Sequence, residues 1–247
     1  MDMTREAMNF IKDLVDKAAP VHDARVICGK TYTNEKLYRM DEPPKAEPLK
    51  VETLTGLLEY VTGCRLEYAA KRMIIHVSGP TEIDFFSGLD NERKREYLCH
   101  ASANVHSFHF DQWMGQEDFI LRLQSNFAPT EDRDLLLKLA GNVMAQNNVA
   151  YADDGITQTA TMKTGVSSAA NVQVPNPVTL APYRTFQEVD QPETQYIFRM
   201  KIASDSPYFL LSDASNGVWK NEAIANIKNY ITMEMAKSDL QNIALIG

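Results

Sequence analysis

The chain has 247 residues, 44% of them hydrophobic and 23% charged, which suits one large domain or two small ones built around ordinary globular cores. A net charge of −8 and a pI near 5.2 disfavour a dedicated duplex-DNA binder, because phosphate contacts need clustered Lys and Arg. No apolar run approaches the ~18 residues that cross a bilayer. Met1-Asp2-Met3-Thr4-Arg5-Glu6 also lacks the basic-then-apolar pattern of a secretory signal, so the expected address is cytoplasmic. Cys28, Cys64 and Cys99 lie far apart without a Cys-x-x-Cys pair, which argues for reduced thiols rather than a zinc ribbon or redox motif.

Taken in chain order, Met8, Ile11 and Val15 recur at three- and four-residue steps and predict a helix over 4–18, stopped by Pro20. Residues 24–40 read as two strands joined by a turn near Thr33-Asn34-Glu35, with Leu37, Arg39 and Met40 in the second. Pro43, Pro44 and Pro48 mark a connector. The expected division is a small unit over 1–48 and a main domain over 49–247, with one continuous domain as the alternative. Leu54, Leu57, Leu58 and Val61 then share a helical face, and Gly63 is placed to end it.

Residues 71–87 read as a hairpin through Ser78-Gly79-Pro80, and 96–103 as a third strand or a helix end. A helix is expected from Phe110 with Asp111 as its cap, burying Phe119, Ile120 and Leu123. Thr130 caps the next one, which carries Leu135, Leu136 and Leu139. Residues 149–151 and 156–163 suggest a hairpin through Asp153-Asp154-Gly155. Pro175, Pro177 and Pro182 restrict their stretch of chain to a loop or an edge strand. The stretch 196–201 alternates cleanly and pairs with 209–211. A helix over 221–237 carries Ile224, Ile227, Ile231 and Met235, and a mildly apolar tail comes after it. Runs of strands and runs of helices predict an α+β fold, mainly antiparallel, with helices at the N-terminus, middle and C-terminus.

Chemistry is sparse. His100, His106, His109 and Asp111 include metal-ligating types, but their spacing matches no zincin helix. Asp153 and Asp154 fit a turn better than a carboxylate pair, since adjacent residues on extended chain point apart. Lys163-Thr164-Gly165 is the wrong order for a phosphate loop, and no Gly-x-Ser-x-Gly elbow occurs. A proline-pinned loop offering Tyr183 and Arg184, with Arg199 and Lys163 nearby in sequence, is a candidate grip for phosphate or carboxylate, because a guanidinium presents a rigid donor fork. The competing reading ties Arg184 to loop carbonyls and Arg199 to Glu188 or Asp190. No cofactor is expected.

Trp113-Met114-x-x-Glu117-x-Phe119-Ile120, Asp132-x-Asp134-Leu135-Leu136, Lys163-Thr164-Gly165, Val174-Pro175-Asn176-Pro177 and Tyr183-Arg184-Thr185-Phe186 resemble the YfdQ-like proteins of tailed phages and prophages, in particular the Firmicutes branch. The likeness spans about residues 54–230. It implies a phage or prophage product outside the virion and implies no catalytic residues. The leading expectation is a non-enzymatic, self-associating accessory protein that binds a host component or a small charged, nucleotide-like ligand. A single-stranded nucleic-acid factor is second. A metal-dependent hydrolase using His100, His106, His109 and Asp111 is third.

Overall fold

The computed structural model describes residues 4–18, 24–27, 30–33, 45–69, 71–143, 158–163, 169–174, 176–238, 240 and 243–247. The chain divides into two compact units, Met1–Lys45 and Ala46–Gly247. The first holds α1 (Arg5–Ala18) and a hairpin of β1 (Ala24–Ile27) and β2 (Lys30–Thr33). Its register runs from Ala24↔Thr33 to Ile27↔Lys30. The reversal therefore falls between Ile27 and Lys30, earlier than the expected Thr33-Asn34-Glu35. The expected strand residues Leu37, Arg39 and Met40 lie outside the described residues.

The second unit begins with β3 (Leu49–Val51), α2 (Leu54–Gly63) and the short α3 (Arg65–Tyr68). β4 (Met73–Val77), β5 (Glu82–Ser87) and β6 (Tyr97–Ser102) come next, so 96–103 is strand. Then come β7 (Met114–Gly115), α4 (Gln116–Asn126) and α5 (Glu131–Asn142). β8 (Gln158–Lys163), β9 (Ala169–Val174), β10 (Val178–Leu180), β11 (Thr194–Ala203) and β12 (Ser206–Asp213) precede α6 (Trp219–Lys237) and β13 (Ile243–Ile246). The architecture is α+β. No helix among the described residues is long and apolar enough to cross a membrane.

Two sheets, each with its own core, make up most of this unit. The first runs β13-β4-β5-β6-β3, antiparallel in the middle and parallel at both edges, where β13 joins β4 and β3 joins β6. Alternation sends Met73, Ile75, Val77, Ile83, Phe85, Cys99 and Ala101 to one face. Leu54, Leu57 and Val61 of α2 and Ile227 and Ile231 of α6 bury against them. The second sheet runs β10-β11-β12-β7. Its inner residues Tyr196, Phe198, Phe209 and Leu211 pack under Phe119 and Leu123 of α4 and Leu136 and Leu139 of α5. Rings dominate here: Phe119 stacks on Phe209 at 4.9 Å, and Phe110 on Tyr196 at 5.2 Å. Each fully buried side chain of this size contributes about 1.5–3 kcal/mol.

Local signals explain several boundaries. Thr53 caps α2 by accepting from Gly56 N at 3.0 Å, and Thr130 caps α5 by accepting from Arg133 N at 3.1 Å. Asp111 does not cap a helix. It sits at φ 59°, accepts a hydrogen bond from the Ser212 hydroxyl, and β7 intervenes before α4 starts after Gly115. β8 pairs with β9, the next strand in the chain, while the expected partner at 149–151 and the Asp153-Asp154-Gly155 turn lie outside the described residues. β10 is an edge strand, as its flanking prolines require.

Candidate functional site

The proline-pinned stretch 181–193 runs from one core to the other. At its start, Ala128 N donates to Ala181 O and Tyr183 N to Asn126 O, both at 2.8 Å. The loop then folds around the amide of Gln191, whose Oε1 accepts from Arg184 N at 3.0 Å and whose Nε2 donates to Phe186 O at 2.9 Å and Val189 O at 3.1 Å. Phe186 and Val189 enter the first core, and the Thr185 hydroxyl donates to Pro80 O.

Arg184 points inward. Its Nη2 donates to Thr194 Oγ1 at 2.7 Å, its Nη1 to Asp213 Oδ2 at 3.4 Å, and its Cζ lies 4.1 Å from the centre of the Trp219 ring. Thr194 passes the chain on by donating to Tyr196 Oη at 3.0 Å. The Arg184 side chain is 13% exposed. Burial holds its pKa below the usual guanidinium range, and burial pushes the Tyr196 phenol up to about 12. The fork is therefore engaged internally. It links the end of β12 and the start of β11 to the first residue of α6.

The other expected anion-gripping residues do not join it. On β11, Thr194, Tyr196, Phe198 and Met200 face the core, so Arg199 lies on the opposite face, with Nη1 donating to Phe198 O at 3.3 Å. Tyr183 is half-buried beside Arg184 in the loop. Lys163 ends β8 opposite Ala169, and its side chain is outside the described residues. Alternation on a strand separates what proximity in sequence suggested would converge.

The histidines also part company. His100 Nδ1 lies 2.8 Å from Asp84 Oδ1, its cross-strand neighbour. His76 is the neighbour of Asp84 on the other side, so a His–Asp–His row crosses β4, β5 and β6 on the sheet's outer face. His109 is exposed, Asp111 holds Ser212, and His106 lines a separate cleft. Among the described residues no group of three His, Cys, Asp or Glu has the geometry to hold a metal ion.

That cleft has a volume of about 470 Å³. β3 and β6 run parallel and both end at it, and α2 begins there. Crevices outside the carboxyl ends of parallel strands are recurrent ligand sites. Glu52, Thr53, Asn104, His106, Gln187 and Glu188 supply the polar lining, with Phe186 and Ala103 as apolar wall. Glu188 Oε1 accepts from Thr55 N at 3.2 Å, so a carboxylate from the pinned loop completes the cap of α2. Sequence reading missed Glu52, Asn104 and Glu188 because they lie in three distant segments. The usable signal was the parallel pairing of 49–51 with 99–101, which no local pattern displays.

The fold and cleft define an α+β protein with two helix-backed sheets and a polar crevice at the open end of one. Comparisons with protein-family models, with curated proteins and with solved structures find no match to the chain.

Proposed function

We propose that this chain is a non-enzymatic, self-associating binding protein whose cleft beside α2 takes a small positively charged ligand. The observation that carries the reading is the entry of two carboxylates, Glu52 and Glu188, into one cleft of about 470 Å³. That volume lies within the roughly 300–1,000 Å³ of small-molecule sites. Thr53, Asn104 and Gln187 add neutral hydrogen-bonding groups that can orient an amine or amidine. The overall charge of −8 draws cations toward the surface. A nucleotide-like anion fits less well, because Arg184, the fork expected to grip it, is bonded inside the protein. The setting we propose, a phage or prophage accessory role in the host cytoplasm, rests on the resemblance to the YfdQ-like proteins.

Calorimetric titration of the full-length chain with agmatine and spermidine, and with ATP as the anionic counterpart, tests the reading. Both cations are expected to bind, and Glu52→Gln is expected to weaken them by about tenfold, close to 1.4 kcal/mol. Binding of ATP with no response to either cation would overturn the proposal.

A further inference from the structure

The two large sheets have edges at β10, β7, β3 and β13, and the first three are covered or blunted among the described residues. Along the free side of β10, Thr179 N donates to Asp132 Oδ2 at 2.6 Å, and just past the strand Ala128 N donates to Ala181 O at 2.8 Å. β7 is two residues long and passes straight into α4. β3 is three residues long, follows Pro48 and carries Lys50. Covering, shortness, proline and lysine are means by which proteins keep strand edges from pairing with other chains. β13 has none of them. Ile243-Ala244-Leu245-Ile246 holds no charge and no proline, and all four residues are in register with residues 73–76 of β4. Its other side presents unpaired N–H and C=O groups. Among the described residues, the one backbone bond of this strand outside the ladder runs from Ile243 N to Leu240 O at 3.3 Å. Such a row is satisfied by another strand. Beside it lies a groove of about 340 Å³, lined by Met235, Leu240, Ile243 and Leu245 with Thr232 and Ala236.

The surroundings of the edge show which strand fits. On α6, Ala225, Asn229, Thr232 and Ala236 recur at three- and four-residue steps and form one exposed flank, small and uncharged. The neighbouring charges are held within the chain: Lys228 Nζ donates to Gly247 O at 2.8 Å, Lys237 Nζ to Glu234 Oε1 at 2.6 Å, and Arg65 to Ser238 O. A two-fold contact sets a patch against its own copy, so charge inside the patch repels itself. Strand, groove and flank carry none. Lys228 sits at the Gly247 end, and an antiparallel pair places its two copies at opposite ends of the contact. The same neutrality leaves no charged pocket to select a foreign sequence. Side-chain alternation agrees. With Leu245 opposite itself, Ile243 faces Gly247 and Ala244 faces Ile246, so inward residues meet inward ones and outward residues meet outward ones.

We propose that β13 pairs with β13 of a second copy, antiparallel about a two-fold axis at Leu245, so that two five-stranded sheets become one continuous sheet and the α6 flanks close over the two grooves. The inference rests on the self-association put forward under the proposed function and adds its location, symmetry and order.

Light scattering after size exclusion, combined with amide hydrogen exchange of the full-length chain, tests it. The expected mass is twice the 27.9 kDa of one chain. Thr232→Lys and Thr232→Glu, both at an exposed position of the helix flank, should each give single chains with agmatine binding unchanged. Exchange over residues 243–247 should be about tenfold faster in these variants than in the wild-type pair. Mixing the two variants should restore the two-chain mass, because a two-fold contact brings position 232 beside its own copy. A wild-type mass above two chains, a pair that survives Thr232→Lys, a mixture that stays monomeric, or equal exchange over 243–247 overturns the strand pairing while self-association stands. A monomeric wild-type chain overturns both and leaves the edge to a strand of another protein.

Discussion

Replacing Arg184 with lysine keeps the charge and loses the fork. An ammonium cannot reach Thr194 and Asp213 together while lying flat on Trp219, three contacts the guanidinium makes at once. Because the side chain is largely buried and Asp213 is partly exposed, Arg184→Lys is expected to lower stability by about 2–3 kcal/mol, read as an earlier urea midpoint. Agmatine binding in the cleft should be unaffected, which separates a scaffold arginine from a ligand-gripping one. The next link, Tyr196, makes stability depend on pH. Burial raises its phenol to about 12, against about 10 in the unfolded chain. The folded state thus holds this proton more tightly. The contribution is complete below pH 10 and is lost as pH rises toward 12, a drop of about 2 kcal/mol. Buried Cys99, raised to about 11 by desolvation, starts the same decline near pH 9. Melting temperatures between pH 8 and 11.5 should fall accordingly, and less steeply in Tyr196→Phe.

Among the elements, α2 joins the fold to the cleft. Its first turn is capped twice, locally by Thr53 and at long range by Glu188. Glu188→Ala is expected to cost about 1 kcal/mol in a denaturation series and to weaken agmatine as well, whereas Thr130→Ala, at the cap of α5 away from the cleft, should cost a similar amount of stability alone. The two caps also show what a sequence reveals. Thr130 was readable as a cap because its partner, Arg133 N, is three residues away. Glu188 was not, because its partner lies more than a hundred residues upstream. Long amphipathic or alternating runs such as α1, α6, β11 and β12 announced themselves. β3 and β7, three and two residues long, have too little pattern to show and exist because neighbouring strands pair with them. Asp111 resembled a cap by type and place, yet the strand pairing of Met114 and Gly115 moves the helix start beyond its reach.

At the scale of the whole second unit, the α+β class was legible from the grouping of strands and helices. The division into two cores was not. Each core mixes early and late segments: the first joins Leu54 to Ile231, the second Phe108 to Leu211. Arg184 and Phe186 hold the halves together from adjacent turns of one loop, so that loop is scaffold first and cleft wall second. The pairing of β13 with β4 adds a temporal consequence. Ile243 meets Met73 about 170 residues earlier in the chain. A nascent polypeptide leaving the ribosome must carry β4 with that edge bare throughout synthesis of everything between. Closing so long a loop is slow, and an unpaired strand edge is adhesive meanwhile. Translation speed and chaperone supply should therefore govern the yield of this protein more than its final stability does.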